Sequence, residues 1–183
     1  MFSQLPNFLT LLRIVMVPVV VVLLNAHEYS YALLVFTLAG VTDGLDGWIA
    51  KKLDLQSALG AMLDPIADKL LLVSTYTMLA VLGDIPFWLL ILVIFRDLVI
   101  VGGYWILVAM DTKIEVHPIW VSKLNTFFQI LLVVVVLVHQ SGWMLLDGPI
   151  SAIIAMVVLT SISSGVCYVR IGMRQLAADE PIK

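Results

Sequence analysis

Six long apolar stretches are the feature that most constrains how this chain folds. They cover approximately residues 8–24, 31–50, 61–82, 86–108, 121–139 and 150–169. Each is close to the length of about 20 residues that a helix needs to cross a bilayer. Because the stretches are continuously apolar and do not alternate with polar residues, they predict helices and exclude membrane β-strands. We therefore expect an all-α integral membrane protein, a six-transmembrane-helix bundle that forms a single domain over residues 1–183.

Composition excludes the other broad classes of protein. Hydrophobic residues make up 62% of the 183 residues and charged residues 13%, against roughly 45–50% and 25% in soluble globular domains. The single cysteine, Cys167, excludes an internal disulfide. The net charge of −3 provides no basic surface, so no nucleic-acid partner is expected.

The positions of lysine and arginine predict the orientation in the membrane. Three of the loops, at about 25–28, 83–85 and 140–149, contain neither residue. Basic residues occur instead in the second and fourth loops, at the C-terminal end and, as Arg13, near the start of the first stretch. By the positive-inside rule we expect both termini on the cytoplasmic side, together with any active site near the second and fourth loops.

Four aspartates lie where the second and third stretches approach this side. Asp43 and Asp46 have i,i+3 spacing and Asp64 and Asp68 have i,i+4 spacing, so each pair occupies one helix face. A loop of roughly ten residues is expected to join these helices as antiparallel neighbours. Carboxylates gathered in this way repel one another unless cations neutralise them. Oxygen ligands favour Mg²⁺ or Mn²⁺, and no nearby histidine or cysteine supports zinc.

Other interpretations of the aspartates stay open at this point. Aspartate–lysine pairs, with Lys51, Lys52 and Lys69 as partners, would simply hold the helices together. An ion or proton transporter would use the aspartates as its pathway, although such proteins favour carboxylates at mid-membrane and discontinuous helices. Pro65 is compatible with a helix that begins near Asp64, and in that case the i,i+4 argument weakens.

The aspartates also match a known family. Asp43-x-x-Asp46-Gly47-x-x-Ala50-Lys51, eight residues, Gly60-x-x-x-Asp64-x-x-x-Asp68 resembles the signature of the CDP-alcohol phosphotransferases. The departure is Lys51, where the family usually has arginine, so the charge is kept but the bidentate contact is lost. The segment from Leu5 to Arg13 resembles the family's N-terminal segment, and six spans is its usual number.

This family joins an alcohol to a phosphatidyl group taken from a CDP-linked lipid and releases CMP. The resemblance implies that Asp43, Asp46 and Asp64 bind two divalent ions, Mg²⁺ or Mn²⁺, and that Asp68 belongs to the same cluster and is the general base. It implies CDP-diacylglycerol as a substrate, contact with membrane lipid, and a homodimer. The implied nucleotide or CDP-lipid contacts are Asn7, Gly47, Lys51, Ser57 and Gly60. Intramembrane prenyltransferases also bind a lipid diphosphate through two aspartate motifs, but their motifs are spaced differently.

The acceptor alcohol depends on the second half of the chain. Arg96, about ten residues into the fourth stretch, and Lys123, at the start of the fifth, are the candidate ligands of an acceptor phosphate. Alternatively, Arg96 pairs with a carboxylate such as Asp97, and Lys123 only follows the positive-inside pattern. Residues 56–65 and 121–129 resemble cardiolipin synthases, which imply phosphatidylglycerol as acceptor. Phosphatidylglycerophosphate synthase, with glycerol 3-phosphate as acceptor, is the alternative. Such synthases tend to have Arg-Glu at 96–97 and a further arginine where this chain has Gly102 and Gly103.

Overall fold

A computed structural model describes residues 5–53, 58–109 and 120–178, with side chains described at 10–43, 66–103, 105 and 120–173. The described helices are α1 (Leu5–Asn25), α2 (Tyr29–Leu53), α3 (Ala58–Leu82), α4 (Phe87–Ala109), α5 (Trp120–Gln140) and α6 (Asp147–Ala178). Each apolar stretch of the sequence overlaps one of these helices, with ends that differ by three residues or fewer except at α6, which continues nine residues past residue 169. No strand occurs in the described ranges, which confirms the all-α prediction.

Helices α1, α3 and α5 are each followed, within two residues, by a residue in the left-handed backbone conformation. The three residues are His27 (φ 57°), Gly83 (φ 84°) and Gly142 (φ 73°). At the end of α1, the N–H of Glu28 donates to the carbonyl of Leu23 at 2.9 Å, which satisfies one of the last carbonyls of the helix. Glycine adopts this conformation without strain, whereas His27 carries a Cβ into it. All three turns lie in the loops that separate the apolar stretches of the sequence.

The chain divides into two compact units. Unit 1 comprises Met1–Ile85 and Val133–Asp147, and unit 2 comprises Pro86–Leu132 and Gly148–Lys183. Unit 1 therefore contains α1, α2, α3 and the C-terminal part of α5. Unit 2 contains α4, the N-terminal part of α5, and α6. The expectation of one domain over residues 1–183 stays a prediction.

Close helix packing forms the core of unit 1, where α1 contacts both α2 and α3. The alanines at 32, 39 and 67 are fully buried, and small side chains of this kind let helices approach closely. Thr10, Arg13 and Thr75 are also fully buried. The hydroxyl of Thr75 donates to the carbonyl of Leu71 within α3 at 2.8 Å. Arginine has no such solution within its own helix, so Arg13 needs partners on other helices.

In unit 2 several polar side chains are buried while several large apolar ones are exposed. Arg96, Asn125, Gln129, Ser161 and Ser164 are all buried, whereas large apolar side chains on α4 and α6 are exposed. The exposed apolar positions are Ile91, Phe95 and Leu98 on α4, and Leu159, Ile162 and Val166 on α6. This arrangement reverses the usual pattern of a soluble protein and suits a lipid environment.

Two helical stretches are long and apolar enough to cross a membrane, judged by length and composition over the described residues alone. They are Trp120–Gln140 in α5 and Asp147–Met173 in α6. The segment Thr10–Asn25 of α1 is apolar but shorter.

Candidate active site

Two of the four predicted aspartates meet in unit 1. Asp43 is on α2 and Asp68 is on α3, and the guanidinium of Arg13 from α1 contacts both carboxylates. Its Nη1 donates to Oδ1 of Asp68 at 2.7 Å, and its Nη2 lies 2.7 Å from Oδ1 of Asp43. The fold therefore brings Asp43 and Asp68 to one location, as the expected pairing of their helices requires.

Burial and charge differ across this group of three residues. The side chain of Arg13 is 0% exposed, whereas those of Asp43 and Asp68 are 38% and 49% exposed. The formal charges of these three side chains alone are one positive and two negative. A cation would approach the carboxylates from their exposed side.

The donor atoms fit a hard divalent cation. Carboxylate oxygens are the ligands that Mg²⁺ and Mn²⁺ prefer. Asp46 and Asp64 lie about one turn from Asp43 and Asp68 on the same helices, and their side chains lie outside the described residues. Over the residues that are described, no group of three or more histidine, cysteine, aspartate or glutamate side chains is close enough to hold a metal ion.

The bounds of α2 and α3 correct two expectations about this region. Since α3 begins at Ala58, a helix start near Asp64 is wrong, and the i,i+4 spacing places Asp64 and Asp68 on one helix face. Since α2 continues to Leu53, only residues 54–57 lie between the helices, fewer than the roughly ten residues expected from the gap between the second and third apolar stretches. The apolar stretch stops at the lysines after residue 50, but lysine is a good helix former and the helix continues through them.

The residues predicted to contact the nucleotide or CDP-lipid lie outside the described side chains. Asn7 is on α1, Gly47 and Lys51 are on α2, and Gly60 is on α3, at positions whose side chains are outside the described residues. Ser57 lies outside the described residues altogether. All five stay predictions.

Arg13 is the site residue to which the sequence assigned no role. By position it belongs with the positive-inside residues, yet it is fully buried and paired. A signal for this was present, because Arg13 is the single charged residue of α1 and sits within an apolar run. An arginine in such a run requires a buried partner. The sequence did not show which carboxylates would supply it.

In unit 2, Arg96 of α4 contacts its neighbour Asp97 and two other helices, α5 and α6. Its side chain is 6% exposed, and its Nη1 donates to Oδ1 of Asp97 at 2.8 Å. Its Nη2 donates to Oγ of Ser122 on α5 and to Oγ of Ser164 on α6, at 2.6 Å each. The pairing with Asp97, one of the two sequence interpretations, is therefore observed. Binding of an acceptor phosphate by Arg96 stays a prediction.

A second polar group joins α5 and α6 in unit 2. Asn125 is fully buried, and its Oδ1 accepts hydrogen bonds from Thr160 at 2.9 Å and from Ser161 at 2.8 Å. Lys123, two residues earlier, is exposed, and its ammonium lies 5.3 Å from the centre of the Trp120 ring, a cation–π contact. Lys123 thus lies at the start of α5 as expected, and its role as a phosphate ligand stays a prediction.

A polar cluster at the other ends of α2 and α3 is separate from this site. The amide of Gln140 donates to Oδ1 of Asp84, and Tyr29 faces the same carboxylate. Burial raises the pKa of Asp84. Burial and the nearby charge of Asp84 raise the pKa of Tyr29 to about 12. Tyr29 begins α2 and Asp43 lies fourteen residues later, which corresponds to about 20 Å along the helix.

Comparison with known proteins identifies the family. The sequence model of the family described as CDP-alcohol phosphatidyltransferase matches residues 3–170. The chain belongs to this family. It is accordingly an enzyme of phospholipid synthesis, and members of the family are membrane proteins. The family predicted from the sequence is thereby confirmed.

Relatives within the family carry three names, which denote phosphatidylglycerophosphate-forming and cardiolipin-forming enzymes. The chain is 32% identical over 180 residues to a probable phosphatidylglycerophosphate synthase of Mycobacterium tuberculosis, covering 95% of this chain and 84% of that protein. It is 31% identical over 160 residues to a CDP-diacylglycerol–glycerol-3-phosphate 3-phosphatidyltransferase of Blochmanniella floridana, covering 84% and 83%. It is 36% identical over 144 residues to the cardiolipin synthase (CMP-forming) of Homo sapiens, covering 70% and 48%. Both kinds of relative are therefore similar to this chain.

Proposed function

We propose that the chain is a CDP-diacylglycerol-dependent phosphatidyltransferase of anionic phospholipid synthesis. Phosphatidylglycerol is the proposed acceptor, so the products are cardiolipin and CMP. The observation that carries this proposal is the convergence of two partly exposed carboxylates, Asp43 and Asp68, in a member of the CDP-alcohol phosphatidyltransferase family.

The proposed metal site uses the four aspartates. Asp43, Asp46, Asp64 and Asp68 hold two divalent ions, Mg²⁺ or Mn²⁺, beside the diphosphate of the CDP-lipid. Such ions, when bound, neutralise the phosphate charge and stabilise the departing nucleotide. The partial exposure of Asp43 and Asp68 supports this assignment, because a cation can reach both carboxylates.

Asp68 is the proposed general base. Its carboxylate takes the proton of the acceptor hydroxyl as that oxygen bonds to the phosphorus carrying the diacylglycerol. The bond from this phosphorus to the bridging oxygen of the diphosphate breaks, and CMP leaves with the electron pair. The exposure of Asp68 supports this role, since an incoming alcohol must reach it. The proposed contacts to the nucleotide and diphosphate are Asn7, Gly47, Lys51, Ser57 and Gly60.

Charge in unit 2 favours an acceptor with a single negative charge. The charge of Arg96 is already shared with Asp97, and Lys123 is the second proposed ligand. Gly102 and Gly103 stand where phosphatidylglycerophosphate synthases tend to carry a further arginine, so they add no charge. Phosphatidylglycerol brings one phosphodiester charge, whereas glycerol 3-phosphate is a dianion that benefits from several charged donors.

Glycerol 3-phosphate is the second candidate acceptor. It is favoured by the relative from Mycobacterium tuberculosis, whose similarity covers 95% of this chain and whose name is that of a phosphatidylglycerophosphate synthase. The choice of acceptor changes the product and leaves the aspartate site and CMP release as proposed above.

One assay tests both the reaction and the acceptor. Purified protein receives CDP-diacylglycerol and Mg²⁺ with phosphatidylglycerol, with glycerol 3-phosphate, or with neither, and CMP and lipid products are measured by mass spectrometry. We expect CMP and cardiolipin with phosphatidylglycerol. Phosphatidylglycerophosphate without cardiolipin would overturn the acceptor alone. Pyrophosphate release would favour prenyl transfer, and ion flux in proteoliposomes without nucleotide turnover would favour a transporter.

The proposed membrane arrangement has six transmembrane helices, both termini in the cytoplasm, and the active site at the cytoplasmic boundary of the lipid. The apolar helices and the basic second and fourth loops support it. In a Cys167→Ser background, a cysteine in place of Trp143 should react with an impermeant maleimide on intact cells. A cysteine in place of His117 should react only after permeabilisation, and the reverse result would invert the topology. Light scattering in detergent tests the proposed homodimer.

A further inference from the structure

We propose that Arg13 is a positioning residue of the active site: its guanidinium sets the spacing between Asp43 and Asp68, and so prepares one for a divalent cation and the other for the acceptor hydroxyl. The proposal rests on the proposed function, in which Asp43 is a metal ligand and Asp68 is the general base.

The shape of the guanidinium is the first argument. Nη1 contacts Asp68 and Nη2 contacts Asp43, each at 2.7 Å. Guanidinium is planar and its two terminal nitrogens are rigidly related, whereas a lysine ammonium is a single point of charge on a flexible stem. The group therefore limits how far apart the two Oδ1 atoms can lie, which an attraction to a single positive charge would not do.

The attachment of Arg13 is the second argument. Thr10, Arg13, Val20 and Leu24 are fully buried or nearly so and lie on one face of α1 at helical spacing. This face is where α1 can pack against α2 and α3, the two helices it contacts. Packing along the whole face restrains the arginine, so its guanidinium can restrain the carboxylates in turn.

The side from which Arg13 approaches separates two possible roles. A guanidinium that merely occupies the place of a metal ion would lie on the exposed side of the carboxylates, where the ion enters. Arg13 is instead 0% exposed while both carboxylates are partly exposed. It therefore contacts the carboxylates from their buried side, and their exposed sides remain accessible to a cation. This geometry predicts that Arg13 supports metal binding and does not compete with it.

The decisive variant is Arg13→Lys, which keeps the positive charge but loses the two rigidly spaced terminal nitrogens of the guanidinium. We expect Mn²⁺ affinity, measured by electron paramagnetic resonance on protein without CDP-lipid, to fall about 10-fold, the lower end of what loss of a group supporting a metal ligand costs. We expect kcat for CMP release to fall about 10–100-fold, with KM for CDP-diacylglycerol changing less than about 3-fold. Arg170→Lys is the matched control, because Arg170 is exposed on α6, and it should leave all three quantities unchanged.

Each result decides something. Wild-type kcat and Mn²⁺ affinity in Arg13→Lys would show that charge alone matters and would overturn the proposal. Tighter Mn²⁺ binding in Arg13→Gln would assign Arg13 as a competitor of the metal and overturn it too. Loss of cooperative thermal unfolding in Arg13→Lys would identify a folding role and count against positioning. If wild-type protein bound Mn²⁺ but released no CMP, the proposed function would fail while the Mn²⁺ comparison would still test Arg13.

Discussion

Asp43 and Asp68 lie on different helices, and one carboxylate oxygen of each is 2.7 Å from the guanidinium of Arg13. Groups that share a partner in this way are energetically coupled, so the effects of changing them do not add. Removing the charge of Asp43 therefore changes how the guanidinium interacts with Asp68, and the reverse holds for Asp68. The proposed metal ligand and the proposed base are thus linked through a residue that would touch neither the nucleotide nor the acceptor.

Asp43→Asn should abolish CMP release while the protein still inserts and unfolds cooperatively. Asparagine keeps the shape of the side chain but loses the charge that a divalent ion needs. We expect kcat/KM to fall by more than the roughly 10–100-fold that loss of a group supporting a ligand costs. Excess Mg²⁺ should restore part of the activity, and wild-type activity that persisted in EDTA would contradict a metal requirement.

Asp68→Asn should lower turnover far more than it weakens binding of CDP-diacylglycerol. Removing a general base typically costs about 10²–10⁴-fold in rate, and the proton transfer occurs only in the transition state. The comparison is kcat against the Kd of the CDP-lipid measured by calorimetry. Asp84→Asn is the control, because Asp84 lies at the far end of α3. Equal losses in binding and turnover would leave Asp68 as a metal ligand alone.

Arg96→Ala should impair the step that uses phosphatidylglycerol and should also destabilise unit 2. Removing one member of a buried ion pair costs about 3–5 kcal/mol, and Asp97 would lose its contact with Nη1 of Arg96. Ser164→Ala removes one contact of Arg96 but keeps its charge, so it should lower the melting temperature with little effect on the KM for phosphatidylglycerol. If both variants changed stability and neither changed that KM, Arg96 would have a structural role only.

Asp84 should make the stability of the protein depend on pH. Burial raises its pKa above the ordinary value of 3.8, so the folded state favours the protonated carboxyl. The stability that this protonated form contributes is fully present below pH 3.8 and is lost as pH rises through the folded-state pKa. Asp84→Asn stays neutral and can still accept the hydrogen bond of Gln140. The melting temperature of the variant minus that of the wild type should therefore increase over this interval, by a few degrees at most. A difference independent of pH would show that Asp84 does not titrate in this range.

Much of the helical architecture could be predicted, because hydropathy records it directly. A backbone surrounded by lipid must satisfy its hydrogen bonds within the segment, so a long apolar stretch has little choice but helix. The spacing of Asp43 to Asp46 and of Asp64 to Asp68 then assigned helix faces without knowledge of the fold. Errors occurred at the helix ends, where α2 runs on to Leu53 and α3 begins at Ala58. Hydropathy follows the apolar segment and not the helix, which charged residues can extend.

The sequence by itself determined that helices form, where four carboxylates lie along them, and to which family they belong. Tertiary structure alone decided that Arg13 contacts Asp43 and Asp68, and that Arg96 contacts Ser122 and Ser164 as well as its neighbour Asp97. The physical reason is the distance along the sequence over which each interaction acts. Periodicity follows from bonds within a helix, whereas the partner of a buried charge depends on which helices pack together and in which register. Apolar surfaces that are chemically alike leave that pairing unspecified until the helices meet.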